Sequence, residues 1–275
     1  MDKRVYPREK KVGASALSVT VLALALVFLL SGVLVRRSGG DIDIAVTHTP
    51  APTAISDVFD ETMEQREITL PAATWYALQL GVFENGTAAE QLSSQFQKRG
   101  AAGYVWQDGR YRVLAAVYPA KEDAQSVRQR ILEQHLVDSY LYQIDLPAMH
   151  LRITGMKGQL DILQAAFAHV HDAAAQLQQI SVLLDRQEIT VEQACERLES
   201  LSAQAEEVTL RMAQRFSAPR HATVDGLLTC LNDLISFCAS RDANASATVF
   251  STQLKHRTFA VLDGLRGVYD TLSTT

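Results

Sequence analysis

Cysteine is scarce in this chain, and so is every residue pattern that marks a catalytic or metal centre. The three cysteines among 275 residues, Cys195, Cys230 and Cys238, all fall in the C-terminal part. Cys230 and Cys238 stand eight residues apart on one predicted helix, about 12 Å along its axis, which is too far for a mutual disulfide. Buried free thiols are the reading, with a bridge from one of them to Cys195 as the alternative. His169 and His171, at i and i+2, face apart on a helix and cannot chelate one metal from the same side. The other histidines, His48, His135, His150, His221 and His256, have no Glu or Cys at ligand spacing. GxSxG, HExxH, P-loop and GxGxxG motifs are all missing, so the expectation is a non-enzymatic protein with no cofactor and no metal. Asn85-Gly-Thr87 and Asn244-Ala-Ser246 fit the glycosylation acceptor pattern, but turn and capping roles account for both.

Positive charge is also thin over most of the chain. Residues 1–37 hold seven of the 26 Lys and Arg but two of the 31 Asp and Glu, which leaves 19 cations against 29 anions, a net of −10, in the remainder. Such a field repels phosphate backbones, and nucleic acid is excluded as a partner. With 47% apolar and 21% charged residues, the composition excludes wholesale disorder.

Charge is absent altogether from Val12 to Val35. As a helix, this run of 24 residues would be about 36 Å long, enough for a tilted crossing of a ~30 Å hydrocarbon core. A cleaved signal peptide is the alternative, yet its apolar core is shorter and ends in small residues, whereas Leu34-Val35 runs into Arg36-Arg37. Lys3, Arg4, Arg8, Lys10 and Lys11 precede the run, so residues 1–11 are read as a cytoplasmic tail, 12–35 as a transmembrane helix, and all that follows as extracytoplasmic. Residues 38–73, with Gly39-Gly40, Pro50, Pro52 and Pro71 and no sustained periodicity, read as a linker averaging roughly 30 Å end to end as a flexible coil.

Folded structure is expected next, over 74–154. Trp75 to Phe83 alternates with period two, placing Tyr76, Leu78, Leu80 and Val82 on one face and Ala77, Gln79 and Gly81 on the other. Thr87 and Glu90 have the form of a capping box for a helix from about Ala88 to Arg99, closed by Gly100. Ala101–Trp106 and Tyr111–Tyr118 read as a hairpin around Asp108-Gly109. A Pro119-led helix bearing Ala124, Val127 and Ile131, and a strand at Tyr140–Ile144, complete a β-α-β-β-α-β order. This order predicts a split βαβ sandwich with two helices on one face and the other face open. RNA-recognition modules share the order, but the basic and aromatic RNP signature is missing. Met149 to Thr154 alternates again and reads as an edge strand or extended connector.

From about Lys157 the period turns helical. Four apolar stripes run through Leu160–Leu184, Val191–Met212, Leu227–Cys238 and Phe250–Leu272, and Thr190 with Gln193 forms a second capping box. Residues 156–275 are read as a four-helix bundle able to bury its own stripes, with an intermolecular coiled coil as the alternative, so the overall class is α+β.

The run Tyr76-Ala-Leu-Gln79-Leu-Gly81-Val-Phe83, the helix carrying Ala89, Leu92 and Gly100, and Tyr111-Arg112-Val113 ahead of the Pro-led helix resemble the SPOR domain, the sporulation-related repeat of bacterial envelope proteins. The resemblance covers residues 74–145 and implies binding of peptidoglycan glycan strands at division septa, often by single-pass membrane proteins. In the family the free sheet face carries the glycan through a Gln on the first strand and an aromatic and a basic residue two apart on the third. Gln79 and Arg112 match; Val82 and Arg110 stand where the family has a small polar and an aromatic residue. The implied glycan site is Gln79, Arg110, Arg112 and Trp106, with Gln79 and Arg112 solvent-facing. Trp106 depends on the turn: a two-residue Asp108-Gly109 turn points it into the core, and a three-residue Gln107-Asp108-Gly109 turn points it to the open face. Binding of glycan in cell division or sporulation is therefore expected, with divisome or sporulation envelope proteins as further partners of the bundle. The alternative is an envelope adaptor that uses both modules for protein docking.

Overall fold

The computed structural model describes residues 62–274. The expected tail 1–11, span 12–35 and most of the linker lie outside these residues. The elements are β1 (Met63–Leu70), β2 (Ala73–Phe83), α1 (Gly86–Gln97), β3 (Tyr104–Gln107), β4 (Tyr111–Tyr118), α2 (Lys121–His135), β5 (Tyr140–Leu146), β6 (Met149–Met156), α3 (Lys157–Asp185), α4 (Val191–Arg215), α5 (Ala222–Ser240) and α6 (Ala247–Ser273). The chain is α+β, with two sheets and six helices among the described residues.

The larger sheet is antiparallel in the order β3-β4-β2-β5. Its first face packs under α1 and α2, where Leu78, Ala115, Ala116, Tyr118 and Ala124 are buried with Leu80, Val127 and Ile131 against them. That is the face the alternation of Tyr76, Leu78 and Leu80 predicts. Irregularities in the β2–β4 register between Ala77 and Gly81 then reverse the alternation. Gly81 turns to α1, where an added Cβ would sit 3.0 Å from Leu92, and Val82 comes opposite Arg112. The expected placement of Val82 with Leu80 is thus corrected. Asn85, not Thr87, caps α1, its side chain accepting from the Thr87 amide at 2.8 Å; an Asx side chain two residues back outcompetes the hydroxyl.

The second face is not open. Trp75, Ala77, Trp106, Leu114, Val117, Ile144 and Leu146 lie on it and form one continuous core with Ile68 and Leu70 of β1, Ile162 and Phe167 of α3, and Phe259 and Leu262 of α6. The reason is compositional: β4 reads Val113-Leu-Ala-Ala-Val-Tyr118, apolar on both sides of the strand, and a strand of that kind must be covered twice.

The linker reading also shortens. Met63–Leu70 is a strand, paired antiparallel with β6 from Met63↔Met156 to Leu70↔Met149, so the alternating Met149–Thr154 segment does not extend the larger sheet. Ile68 and Leu70, both 3% exposed, drive this pairing by burial on α3, and Arg66 adds bonds to Glu64 and, at 2.6 Å, to Asp161.

The four C-terminal helices pack in a ring, each touching the next in sequence and α6 closing on α3. The Thr190–Gln193 box is formed at the start of α4. Leu177, Leu198, Leu227, Leu231, Leu254 and Leu265 are all at 0% exposure, so the apolar stripes are buried within the chain. Among the described residues α5 is long and apolar enough to cross a membrane, but Leu227, Leu231, Leu234 and Cys238 of that helix lie in the bundle core. The bundle does not bury its stripes unaided: Phe259 stacks on Tyr104 of β3 with ring centroids 5.5 Å apart. The cysteines are free thiols, and burial raises Cys230 to about 11, which keeps it protonated and unreactive at neutral pH.

Candidate functional site

The β3–β4 connection is neither of the two turns foreseen. Gln107 pairs with Tyr111 and the Asp108 amide donates to the Arg110 carbonyl at 3.1 Å, so the turn is Asp108-Gly109-Arg110, with Gly109 at φ +85 supplying the left-handed residue. Trp106 consequently pairs with Arg112 and shares its face. It lies on the face the sequence assigns to ligand, yet it is 1% exposed, because α6 covers it. The Arg266 guanidinium stands 4.2 Å from the centroid of its ring. The indole Nε1 is buried, with the Tyr142 hydroxyl as its polar neighbour.

At the margin of this covered face lies a polar cluster. Arg112 donates from Nη1 to Gln79 Oε1 at 2.9 Å and from Nε to both Asp108 carboxylate oxygens at 2.9 and 2.8 Å. Tyr142 reaches in from β5, where it pairs with Ala77, and donates its hydroxyl to Asp108 Oδ2 at 2.6 Å. The Arg112 guanidinium lies 4.6 Å from the Tyr142 ring centroid. Burial pushes the Asp108 pKa up, but the hydrogen bonds from Tyr142 and Arg112 outweigh it and hold the carboxyl below its usual range. The same burial, with the Asp108 charge beside it, raises the Tyr142 phenol.

The structure therefore brings together Gln79 and Arg112, with side chains partly accessible; Arg112 is 23% exposed. Trp106 is adjacent but buried, and Arg110 is fully outside the cluster, exposed on the turn. Asp108 and Tyr142 were not anticipated. Asp108 was legible as a turn residue alone, and Tyr142 needed the β2–β5 register, which periodicity does not report.

Chemically the cluster offers unused N–H donors on Gln79 and Arg112, an aromatic ring, and a carboxylate already neutralised by its own guanidinium. His169 and His171 do not join it: the first is buried, the second bonds Tyr269 Oη at 2.9 Å. No group of three or more His, Cys, Asp or Glu suited to a metal occurs among the described residues.

The domain is thus a four-stranded sheet backed by two helices, with amide, guanidinium and phenol side by side at the margin of its second face. The sequence profile of the SPOR domain family matches residues 72–143, and the chain carries a SPOR domain there. SPOR domains are peptidoglycan-binding domains of cell division proteins. No curated protein and no solved structure matches the chain.

Proposed function

We propose that the protein is a non-enzymatic envelope protein that binds peptidoglycan glycan strands through its SPOR domain, at the Gln79, Arg112 and Tyr142 margin, in cell division or sporulation. The match over residues 72–143 carries this reading. The cluster suits it: Arg112 and Gln79 present donors to sugar hydroxyls, acetamido carbonyls and lactyl carboxylates, and charge-assisted bonds to the last are the strongest. Tyr142 adds the aromatic ring that Arg110 does not provide, with the Arg112 guanidinium over one of its faces. The charge-free run at 12–35, with five cations ahead of it, supports a location in the cell membrane, N-terminus cytoplasmic, with the SPOR domain outside.

One observation favours a second reading. Most of the expected glycan face is covered by the chain's own helices, which suits an adaptor whose SPOR domain docks protein rather than glycan. Pull-down of residues 62–275 on purified sacculi separates the two. Retention that increases on amidase-treated sacculi supports glycan binding; no retention on any sacculus supports the adaptor.

A further inference from the structure

We propose that α6 is an internal competitor for the glycan site, a helix of the chain's own bundle that masks the aromatic part of the SPOR face and must withdraw for full binding. The proposal rests on the glycan-binding reading above and adds its regulation.

The mask is one stripe of α6. Lys255, Phe259, Asp263 and Arg266 follow at spacings of four, four and three, which aligns them on a single side of the helix. Lys255 donates to the Gly100 carbonyl at 3.0 Å, Phe259 stacks on Tyr104, Asp263 accepts from the Tyr104 hydroxyl at 2.9 Å, and Arg266 bonds Asp263 at 2.6 Å while lying over Trp106. His256 adds an edge contact to Tyr104 at 5.0 Å. The cover thus hides the two aromatic rings of β3 that share a face with Arg112.

This seam differs from a permanent core in two respects. Its rim is polar and partly wet around a buried Phe259: the Asp263 and Arg266 side chains are 30% and 31% exposed, whereas Phe259, Leu254 and Leu265 of the same helix are at 0%. Over the Trp106 ring lies the Arg266 guanidinium, on a face that a sugar would take. The other end of the sheet face, Trp75, Ile144 and Leu146, shares an apolar core with Ile68, Leu70, Ile162 and Phe167. Opening therefore concerns the β3 end alone.

The test uses residues 62–275 in a Trp75→Phe background, so that Trp106 alone reports by acrylamide quenching. Asp263→Ala, Arg266→Ala and the milder Tyr104→Phe loosen the seam from both sides. The expected result is greater quenching together with at least about threefold tighter retention on amidase-treated sacculi. Greater quenching with retention equal to the parent's overturns the mask and leaves glycan binding standing. Greater quenching with no retention by parent or variants overturns both. Quenching unchanged in all three variants shows that these contacts do not hold α6, and the mask falls.

Discussion

Gln79 and Arg112 meet by a 2.9 Å hydrogen bond although they are not opposite one another in the ladder: Gln79 pairs with Leu114, and Arg112 with Val82. The register irregularity in β2 brings the two side chains together diagonally, and the Asp108 carboxylate fixes the guanidinium from its other edge.

Arg112 is consequently the hub of the cluster rather than a free surface residue. Arg112→Ala is expected to cost about 1–2 kcal/mol, since it strips partners from both Gln79 and Asp108, and Gln79→Ala about 0.5 kcal/mol. A double-mutant cycle by urea denaturation should show the two effects to be non-additive. Both variants should lose sacculus retention.

Tyr142→Phe keeps the ring and removes one of the two side-chain donors to Asp108. The Asp108 pKa should rise toward the ordinary carboxylate value, measurable by carbon NMR titration. In the parent that pKa is depressed on folding, so its contribution to stability is present above the unfolded value and lost as pH falls through the folded one. Tyr142→Phe should therefore flatten the loss of stability below about pH 4.

Trp106→Ala is expected to lower stability by about 3–5 kcal/mol, the range for emptying a buried aromatic site. Thermal melting followed by circular dichroism measures it. A loss under 1 kcal/mol would mean that the seam between β3 and α6 is not closed in solution.

Acid should weaken the fold before the carboxylates titrate. Desolvation lowers His169, His171 and His256 below the ordinary 6.5, with Asp172 opposing it for the first two and Arg257 reinforcing it for the third. A histidine kept neutral on folding contributes stability above its unfolded pKa and loses it as pH falls below that value. Urea midpoints measured between pH 7.5 and 5 should decline, and His256→Gln should reduce the slope.

Sheet and bundle share one continuous core, so residues 62–275 should unfold in a single calorimetric transition with equal van't Hoff and calorimetric enthalpies. Two separated transitions would show that the SPOR domain and the helices are independent.

What the sequence conveyed and what it withheld follow from the range of each signal. Local signals were read directly: the alternation of Trp75 to Leu80, the Thr190–Gln193 box and the four helical stripes need only neighbours within a few residues. Gln79 and Arg112 were reachable from these together with the family resemblance. Trp106 was undecidable locally, because a third turn length, 108–110, put it on the ligand face and a helix 150 residues later buried it. The closed second face did have a local signal in Val113–Val117, apolar at every position, but a pattern that demands a cover does not name it. β1 was hidden because charged residues stand on both of its faces, Glu64 and Arg66 on the side of Ile68 and Leu70 and Glu67 on the other, and only its partner strand gives it meaning.

The β1–β6 ladder has a mechanical consequence. The two strands flank the SPOR domain in sequence and pair so that Met63, where the chain enters, lies opposite Met156, where it leaves into α3. Tension that enters before Met63 and leaves through the helices is borne first by that end pair, and an antiparallel ladder pulled from one end opens one pair at a time, like a zip. The sheet that holds Gln79 and Arg112 lies beyond the far end, at Leu70 and Met149, and takes up load only through the core it shares with β1, α3 and α6. The ladder is therefore the first pairing that such tension loads, ahead of the sheet that carries the binding surface.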